Sequence, residues 1–429
     1  MNALRPVLIV AMLVGFARFG SADDSWAGQK VMQTKPKVKF AVNDDDGQRD
    51  FELKGVCFTV LKEKDGLLRL RGDDGKEGWA EMADFTLLAD APGVYTDMIK
   101  ADEKNGWAWH MRGAAWDEKG EFDKAVEDYS EVIRLDSKFA GAFNDRGLAR
   151  LNLKEYDKAF KDFDEAIRLD PKKVVAFNNR GNMRLNLKEY DEAIKDYDEA
   201  IRLDPNYASA LSNRGLARAA LKGYDKAIKD YDEAIRINPK FGMAFNNRGN
   251  ARRDLKEYDK AIKDFDEAIR LDPKYALAFL NRGTSLLSSR RPKAPADFQT
   301  AIDVQGWKGD LATYATILGQ LSARIDGDEV SAKKFLSNAE SKLDEKAWPY
   351  PAVQYLRGDL DGAALLKLAT DDAKRTEARC FLGFDLLLRG KKDQALAHFK
   401  WVKDKGTQTY IEYGLALAEL ERLEKAKDK

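Results

Sequence analysis

The residues with the most regular hydrogen-bonding chemistry are asparagines that recur at a period of 34. An asparagine amide offers both a donor and an acceptor, so a row of amides can pair with the main chain of an extended peptide. Asparagine is a mediocre helix former, and its recurrence in helical segments requires a compensating use. That use is either peptide or protein binding, or hydrogen bonding to neighbouring loops and water with nothing bound. The candidates are Asn144, Asn178, Asn179, Asn182, Asn213, Asn246, Asn247, Asn250 and Asn281.

Residues that could catalyse a reaction or bind a metal are few. The histidines, His110 and His398, lie far apart in the sequence, and neither has a serine or cysteine nucleophile beside it. The cysteines, Cys57 and Cys380, lie in apolar segments, which is typical of buried, unreactive thiols. Acidic turns occur, but none has the twelve-residue loop of a calcium-binding hand. The sequence therefore predicts a protein that is not an enzyme and uses no cofactor.

The elements that hold the asparagines repeat with a period of 34 from position 106 to about 305. Small residues at fixed positions allow two antiparallel helices to approach closely, and a proline after the second helix ends it. The pattern predicts six helical hairpins. The recurrent glycines are Gly113, Gly147, Gly181, Gly215, Gly249 and Gly283.

Five arginines each precede an aspartate by sixteen residues, which places opposite charges on the two helices of one hairpin. We expect an ion pair inside each repeat; a row of ligand-binding arginines is the alternative. The pairs are Arg112 with Asp128, Arg146 with Asp162, Arg180 with Asp196, Arg214 with Asp230, and Arg248 with Asp264.

Residues 109–136 (WHMRGAAWDEKGEFDKAVEDYSEVIRLD) and 177–205 (FNNRGNMRLNLKEYDEAIKDYDEAIRLDP) closely resemble tetratricopeptide repeats. The resemblance implies an α-solenoid superhelix in which the first helix of each hairpin lines a concave groove for a protein or an extended peptide. The sixth repeat is one residue short at its turn, so we expect a distorted end to the regular array.

The segment before the repeats has the alternation of short β-rich runs and turns that is typical of a small β domain, over residues 23–89. Residues 78–88 (GWAEMADFTLL) resemble the glycine–tryptophan segment of bacterial SH3-like domains. This resemblance implies a cell-wall peptide or a protein segment as the partner. Trp79 is then either a groove residue or part of the barrel core. Residues 90–105 resemble the second helix of a repeat and should cap the array.

The N-terminal residues are typical of an export signal. Arg5 precedes an apolar run over residues 6–17, and small residues follow, which predicts cleavage between Ala22 and Asp23. The run is shorter than the roughly 20 residues that span a bilayer, so we expect no stable membrane span after cleavage. An uncleaved anchor is the alternative. Either way the sequence predicts an exported protein, periplasmic or extracellular.

The C-terminal third departs from the strict period. Residues 306–375 are predicted as an irregular helical region, and residues 376–429 as a repeat-like hairpin with a capping helix. This order of elements loosely resembles the C-terminal part of bacterial envelope tetratricopeptide lipoproteins that act as adaptors. The lipid-bearing cysteine of that family is missing here, which leaves an adaptor role without a membrane tether.

These observations together predict a mainly α fold, a tetratricopeptide α-solenoid preceded by a small SH3-like β-barrel. Lysine plus arginine total 73 and aspartate plus glutamate total 73, so the net charge is zero and nucleic acid is not an expected partner. The predicted function is an adaptor that holds proteins or peptides in the groove. The alternative is a structural spacer or self-assembling scaffold whose groove stays empty.

Overall fold

The computed structural model describes residues 26–36, 38–44, 47–52, 56–72, 77–340, 342–408 and 411–427. Over these residues the chain is mainly helical, with a small antiparallel sheet in its N-terminal part. The chain divides into two units, Met1–Pro171 (unit 1) and Lys172–Lys429 (unit 2). The predicted export signal and its cleavage point, Ala22 and Asp23, lie outside the described residues.

The sheet of unit 1 has seven strands in the order β3-β2-β6-β5-β4-β1-β7, all antiparallel. Among the described residues no pairing joins β3 to β7, so these are the two edge strands. A small β domain was predicted from runs such as KVKFAV, GVCFTVL and LLRLR, whereas its first and third strands were not predicted. The strands are β1 Lys30–Gln33, β2 Lys39–Asp44, β3 Gly47–Glu52, β4 Cys57–Lys64, β5 Leu67–Arg71, β6 Glu77–Glu81 and β7 Phe85–Leu87.

Alternating side chains give the sheet two packed faces. Val31, Phe58 and Leu68 lie in one apolar cluster, as the period of two in a strand requires. Met32 points to the opposite face, where it packs with Cys57 and the helices that follow. The predicted burial of Cys57 is confirmed.

The helix after the sheet, α1 (Ala91–Ala101), connects the β domain to the first hairpin. Tyr95 is fully buried, and its hydroxyl donates a hydrogen bond of 2.5 Å to the backbone oxygen of Gln33 in β1. Its ring meets that of Trp107 edge to face at 5.8 Å. The predicted capping helix therefore packs against the sheet as well as against the first repeat.

Six hairpins follow, which confirms the predicted helix pairs. We call the two helices of each hairpin A and B. Repeats 1 and 2 belong to unit 1: α2 Gly106–Glu118 with α3 Phe122–Leu135, and α4 Ala140–Asn152 with α5 Tyr156–Leu169. Repeats 3 to 6 belong to unit 2: α6 Val174–Asn186 with α7 Tyr190–Leu203, α8 Ala208–Ala220 with α9 Tyr224–Ile237, α10 Gly242–Asp254 with α11 Tyr258–Leu271, and α12 Ala276–Ser288 with α13 Ala294–Gln305.

Each hairpin is held by a glycine of helix A against an aromatic ring of helix B. A Cβ atom placed on Gly215 would lie 2.6 Å from Tyr231, closer than packed carbon atoms come. Tyr231 is itself fully buried. Glycine is therefore required at this position because the ring occupies the space of a side chain.

The sixth hairpin is distorted at its turn, as its missing residue predicted. Helix α13 begins after Lys293, which has left-handed backbone angles (φ 80°), and is two residues shorter than α11 (12 against 14). Arg282 still pairs with Asp297, fifteen residues on, at 2.6 Å. The ion pair thus tolerates the shortened turn.

The remaining helices of unit 2 are α14 Asp310–Ile325, α15 Glu329–Ala339, α16 Tyr350–Arg357, α17 Gly362–Leu368, α18 Asp372–Leu388, α19 Lys392–Lys405 and α20 Ile411–Lys427. The glycine–aromatic contact recurs twice among them. A Cβ atom on Gly319 would lie 2.5 Å from Phe335, and one on Gly383 would lie 2.5 Å from Phe399. Within the region 306–375, the helical alternation of DLATYATILGQLSARI and VSAKKFLSNAESKL predicts a helix pair. These segments form α14 and α15, a hairpin with the glycine–aromatic contact of the repeats.

Candidate functional site

The arginines predicted to pair with aspartates are structural, and the structure confirms that pairing. Arg214 of α8 binds Asp230 of α9 through Nη2 to Oδ1 (2.6 Å) and Nε to Oδ2 (3.2 Å). Arg218, one turn later, binds the same carboxylate at 2.7 Å. Asp230 is only 3% exposed, so two cations surround one buried anion. We call this arrangement the arginine clamp.

The same arginine joins neighbouring repeats. Nη1 of Arg214 donates to Asp198 on helix B of the preceding repeat at 2.6 Å. Equivalent bonds of 2.6 Å link Arg248 with Asp232 and Arg282 with Asp266. All three guanidinium nitrogens of Arg214 thus bind aspartates of the scaffold, which favours the ion pair over a row of ligand-binding arginines.

The asparagines of unit 2 also join neighbouring repeats. Nδ2 of Asn213 donates to Asn178 Oδ1 (3.1 Å) and to Asn182 Oδ1 (2.9 Å), both one repeat earlier. Nδ2 of Asn281 donates to Asn246 Oδ1 at 2.9 Å. Asn178, Asn246 and Asn281 are at most 5% exposed. Several of the amide groups that were predicted to bind a ligand therefore form hydrogen bonds between helices of neighbouring repeats.

The other candidate amides differ in their surroundings. Asn179 and Asn247 are partly exposed, and their Oδ1 atoms accept from the preceding asparagines at 3.5 and 3.3 Å. In unit 1, Asn144 is buried, and its Nδ2 donates to Asp145 at 2.9 Å. Asp145 in turn contacts His110 Nε2 at 2.8 Å. Peptide binding by these residues stays a prediction; Asn179 and Asn247 are partly exposed, as are Asn182, Asn213 and Asn250.

A mismatch between repeats leaves two polar atoms unsatisfied. The hydroxyl of Tyr197 donates to Asn182 Oδ1 at 2.8 Å. In the next repeat a leucine replaces the asparagine, and the Tyr231 hydroxyl is buried without a partner among the described residues. One repeat later a phenylalanine replaces the tyrosine, and Asn250 Oδ1 is buried without a described partner. Such groups cost stability, so they mark where the repeat is imperfect.

Helix α20 lies on the face of the A helices that carries the asparagines. Leu216 and Ala220 follow Asn213 by three and seven residues and therefore share its helix face. Both line a cleft whose opposite wall is formed by Tyr413 and Leu417 of α20. The sequence predicted α20 as a capping helix only. The structure shows that it packs on α18, α19 and helix A of repeat 6, and that it faces repeats 4 and 5 across this cleft.

The cleft between α20 and the repeats has a volume of about 490 Å³. Three tyrosines at the start of successive B helices line it, namely Tyr190, Tyr224 and Tyr258. Burial, followed by the nearby Asp254 carboxylate, raises the pKa of Tyr224. A tyrosine hydroxyl can donate a hydrogen bond to a carbonyl or carboxylate oxygen.

Cations stand at the edge of the same cleft. Lys222 and Lys256 occupy equivalent turns of repeats 4 and 5, and Arg253 lies near the end of α10. Arg253 contacts Asp254 at 3.6 Å and Asn281 at 3.3 Å. Tyrosines, aliphatic groups and cations together suit a polypeptide segment that carries acidic side chains.

Two buried carboxylates where α20 meets α18 were not foreseen. Glu377 and Glu412 are 2% and 3% exposed. Burial raises the pKa of Glu377 to about 7 and that of Glu412 to about 8. The Glu377 carboxylate adds to the rise at Glu412. Nε1 of Trp348 donates to Glu377 at 2.6 Å. The sequence does not distinguish these two acids from helix-surface glutamates, because only the tertiary packing buries them.

Trp79 of β6 faces away from the main apolar cluster of the sheet. Its neighbours Gly78 and Ala80 are buried, whereas Trp79 is half-buried, beside Arg69 of β5 in the ladder. Of the two predicted alternatives, the barrel core is wrong for this side chain. A surface for ligand contact stays a prediction.

The described part of the chain offers little for catalysis. Cys380 is buried and free, and burial raises the pKa of its thiol. Burial lowers the pKa of His398, which lies 3.4 Å from Arg379. Within the described residues no group of three or more metal-binding side chains comes together, and none of the helices is long and apolar enough to cross a bilayer.

Models of the tetratricopeptide repeat match residues 108–139, 140–173, 174–207, 208–241 and 243–275. These five segments are tetratricopeptide repeats. Proteins with such repeats bind proteins or peptides and are generally not enzymes, so the repeats support a protein–protein interaction scaffold. The sixth hairpin and the two later ones share the fold without matching the sequence models.

Several solved structures are similar in part. MamA is 27% identical over 38% of this chain and 96% of its own, with a TM-score of 0.35. YrrB, described as a tetratricopeptide protein with an unusual peptide-binding site, is 22% identical over 43% of this chain and 95% of its own (TM-score 0.35). PilW, described as a type IV pilus biogenesis factor, is 17% identical over 50% and 97% (TM-score 0.45). No curated protein sequence matches the chain.

Proposed function

We propose that this protein is an exported, non-enzymatic adaptor that holds a protein or peptide partner in the groove of its repeats. The observation that carries the proposal is the cleft of about 490 Å³ on the groove face of repeats 4 to 6. It combines tyrosine hydroxyls, aliphatic side chains and cations, which are the groups that bind a polypeptide. A spacer would need no such cleft.

Site-specific cross-linking tests this function. A photoreactive amino acid at Ala220, which lines the cleft, should capture a partner from an extract of the bacterial envelope. The same group at Lys229, exposed on helix α9, is the matched control. A partner found at position 220 and missing at position 229 supports the adaptor. Identical captures at both positions, or none at position 220, would favour the spacer.

Substituting an asparagine that bonds to another repeat tests the stability of the fold more directly than it tests partner binding. Asn213→Ala removes both hydrogen bonds to Asn178 and Asn182, so a loss of partner could follow from altered packing between repeats. Asn247→Ala is the better probe, because the Asn247 side chain is partly exposed. Lost binding in Asn247→Ala with unchanged circular dichroism would support an amide contact.

The proposal extends to the β domain and to location. The glycine–tryptophan segment at Gly78 and Trp79 supports an SH3-like module that binds cell-wall peptides, and the half-buried indole supports contact by Trp79. Trp79→Ala should then reduce co-sedimentation with isolated cell walls, whereas Arg71→Ala on the neighbouring strand should not. N-terminal sequencing of the protein from the periplasmic fraction should begin at Asp23; a start at Met1 would support the uncleaved anchor.

A further inference from the structure

We propose that α20 is an internal ligand of the groove in repeats 4 to 6, and that the external partner of this surface is an amphipathic helix with the same pattern of leucines and glutamates. This inference rests on the proposed groove function and names the chemistry of the partner. It follows from the composition of α20, from its contacts with the repeat turns, and from the incomplete fit of α20 in the groove.

The buried stripe of α20 is not purely apolar. Leu415, Ala416 and Leu420 are buried, and their spacing of one and four residues places them on one helix face. Glu412 and Glu419 lie in the same stripe and are only 3% and 2% exposed. A helix that only caps a hairpin needs no buried carboxylate, because burying a charge without a partner is unfavourable. Of the two, Glu419 indicates recognition of a specific group on the repeats, whereas Glu412 lies beside Glu377 of α18.

Glu419 has such a group on the repeats. Arg290, in the turn of repeat 6, binds it with both nitrogens, Nε to Oε1 at 2.9 Å and Nη2 to Oε2 at 2.6 Å. Nη2 of Arg422, on the next turn of α20, donates to the backbone oxygen of Ser288 at 2.9 Å. Paired donors aimed at one carboxylate give geometric specificity as well as attraction. The end of helix A in repeat 6 and the turn after it therefore bind α20 through specific hydrogen bonds.

Two earlier turns repeat this contact. Lys222, Lys256 and Arg290 are spaced by 34 residues and share left-handed backbone angles, with φ of 61°, 60° and 55°. Lys256 pairs with Glu421 of α20, and Lys222 with Gln408, just before α20. The three turns thus present a row of cations to one helix and the residues before it.

The turn position itself favours glycine. In the hairpin of α18 and α19 the equivalent residue is Gly390, with φ of 77°. A non-glycine residue in this conformation costs about 1 kcal/mol. Lys154 and Lys188 have the same conformation, with φ of 61° and 63°, so the angle belongs to the repeat turn itself. What sets the last three turns apart is the bond of each cation to α20 or to Gln408 just before it.

The fit of α20 in the groove is incomplete. Lys256 and Glu421 remain 54% and 43% exposed, and an exposed pair of this kind contributes less than about 1 kcal/mol. The cleft of about 490 Å³ separates Gly414 and Leu417 of α20 from helices α8 and α10. A free helix with the same charges and a better fit to repeats 4 and 5 can therefore compete with α20.

The test uses a fluorescent synthetic peptide of residues 411–427 and the full chain, with binding measured by fluorescence anisotropy. In the wild-type chain α20 occupies the site. A chain with Glu419→Gln and Glu421→Gln should release α20 and bind the peptide about tenfold more tightly, because more of it is in the open state. A peptide with the same two changes should bind the opened chain more weakly than the unchanged peptide.

A matched pair of substitutions locates the binding surface. In the opened chain, Lys256→Met should weaken peptide binding severalfold. Lys188→Met is the control, since Lys188 occupies the same turn position with the same backbone angle (φ 63°), and no described residue of α20 bonds to it. Equal effects of the two changes, or equal peptide affinity of wild-type and opened chains, would overturn the proposal.

Hydrogen exchange of the wild-type chain provides a second readout in case the opened chain does not fold. Excess peptide should accelerate amide exchange in α20 and slow it in α8 and α10. The proposal fails if α20 exchanges only when the whole of unit 2 unfolds. Cross-linking at Ala220 separates the two claims: a captured partner together with no peptide effect would keep the groove function and reject a helical, α20-like partner.

Discussion

The regular repeats of unit 2 and its last hairpin, α18 with α19, share the glycine–aromatic contact between their two helices. They differ in whether an arginine–aspartate ion pair also joins the two helices. Gly215 against Tyr231 and Gly383 against Phe399 are equivalent contacts. The arginine clamp around Asp230 has no counterpart in α18 and α19, where the corresponding residues are Leu382 and His398. Close approach of two helices therefore does not need the clamp. Arg214 of the clamp also bonds to Asp198 of the preceding repeat. This bond indicates that the clamp fixes the position of one repeat relative to the next.

The comparison extends to buried carboxylates. In repeat 5, burial raises the pKa of Asp264, and hydrogen bonds from Arg248 and Arg252 oppose that rise. Glu412 of α20 and Glu377 of α18 have a carboxylate neighbour instead, and their pKa values rise to about 8 and about 7. Arginines stabilise the charge in one region, and protonation removes it in the other.

The largest expected effect comes from breaking the clamp. Asp230→Ala leaves Arg214 and Arg218 partly buried without their shared carboxylate and should destabilise unit 2 by about 3–5 kcal/mol. Asp232→Ala removes only a 51% exposed carboxylate and should cost less than about 1 kcal/mol. Urea unfolding followed by circular dichroism measures both. Similar losses for the two variants would show that the clamp is no more than a surface ion pair.

The next effect is a pH dependence confined to the C-terminal helices. Because the folded pKa of Glu412 is raised to about 8, its stabilising contribution is complete below its ordinary pKa of 4.5 and disappears as the pH rises through about 8. Glu377 changes in the same direction at about pH 7. Hydrogen-exchange protection of α20 should fall by on the order of 3 kcal/mol between about pH 5 and about pH 9.

Two variants check the origin of this pH dependence. Glu412→Gln should flatten the profile of α20, because the amide cannot ionise. The charged and titratable groups around Glu412 are Glu377 and Cys380 on α18, Tyr314 on α14 and Arg253 on α10. Arg253→Met should steepen the profile, since it removes the cation that favours the charged form. A profile that is unchanged by Glu412→Gln would exclude this carboxyl as the source.

Substituting the hairpin glycines should destabilise unit 2 less than breaking the clamp does. The loss should be equal in the regular repeats and in the hairpin of α18 and α19. Gly215→Ala and Gly383→Ala each place a methyl group about where a ring lies, and such overpacking costs roughly 1–3 kcal/mol. Gly414→Ala is the control in α20, since no atom lies within 4 Å of its added Cβ. This change should stabilise the helix by up to about 1 kcal/mol. Thermal melts measure the loss of stability at positions 215 and 383. Unequal losses would show that the two glycine–aromatic contacts are not equivalent.

The smallest effect concerns the turns. Lys188→Gly should stabilise repeat 3 by less than about 1 kcal/mol, because relief of the left-handed conformation slightly exceeds the added entropy of the unfolded chain. Gly390→Lys should destabilise α18 and α19 by a similar amount. A small upward and a small downward shift in melting temperature would show that the turn geometry is common to both regions. Shifts of the same sign would contradict it.

The sequence was sufficient for features set within one hairpin. The recurrent glycines, the sixteen-residue ion pairs and the six helix pairs all follow from the period of 34. The alternation of residues 310–343 predicts α14 and α15 as a helix pair. Their likeness to the repeats was not predicted, although Gly319 and Phe335 keep the same spacing, because the flanking arginine and aspartate are absent. The first and third strands were missed because KVMQ and GQRDFE lack an apolar alternation.

Features set between distant elements were beyond the sequence. Arg290 and Glu419 are separated by 129 residues, and no period connects them. The asparagines were found at the right positions, yet an amide on a helix face pairs equally well with a ligand or with the next repeat. Only the bond between Asn213 and Asn178 shows which of these occurs.

The identical junctions between repeats have a consequence for how this gene product can change in length. Arg214 with Asp198, Arg248 with Asp232 and Arg282 with Asp266 are the same contact three times, so recombination that gains or loses one 34-residue segment regenerates every junction. The turn cations would then move by one repeat relative to α20. A change in the number of repeats is therefore compatible with this fold only if α20 can form equivalent contacts with the turn cations of other repeats.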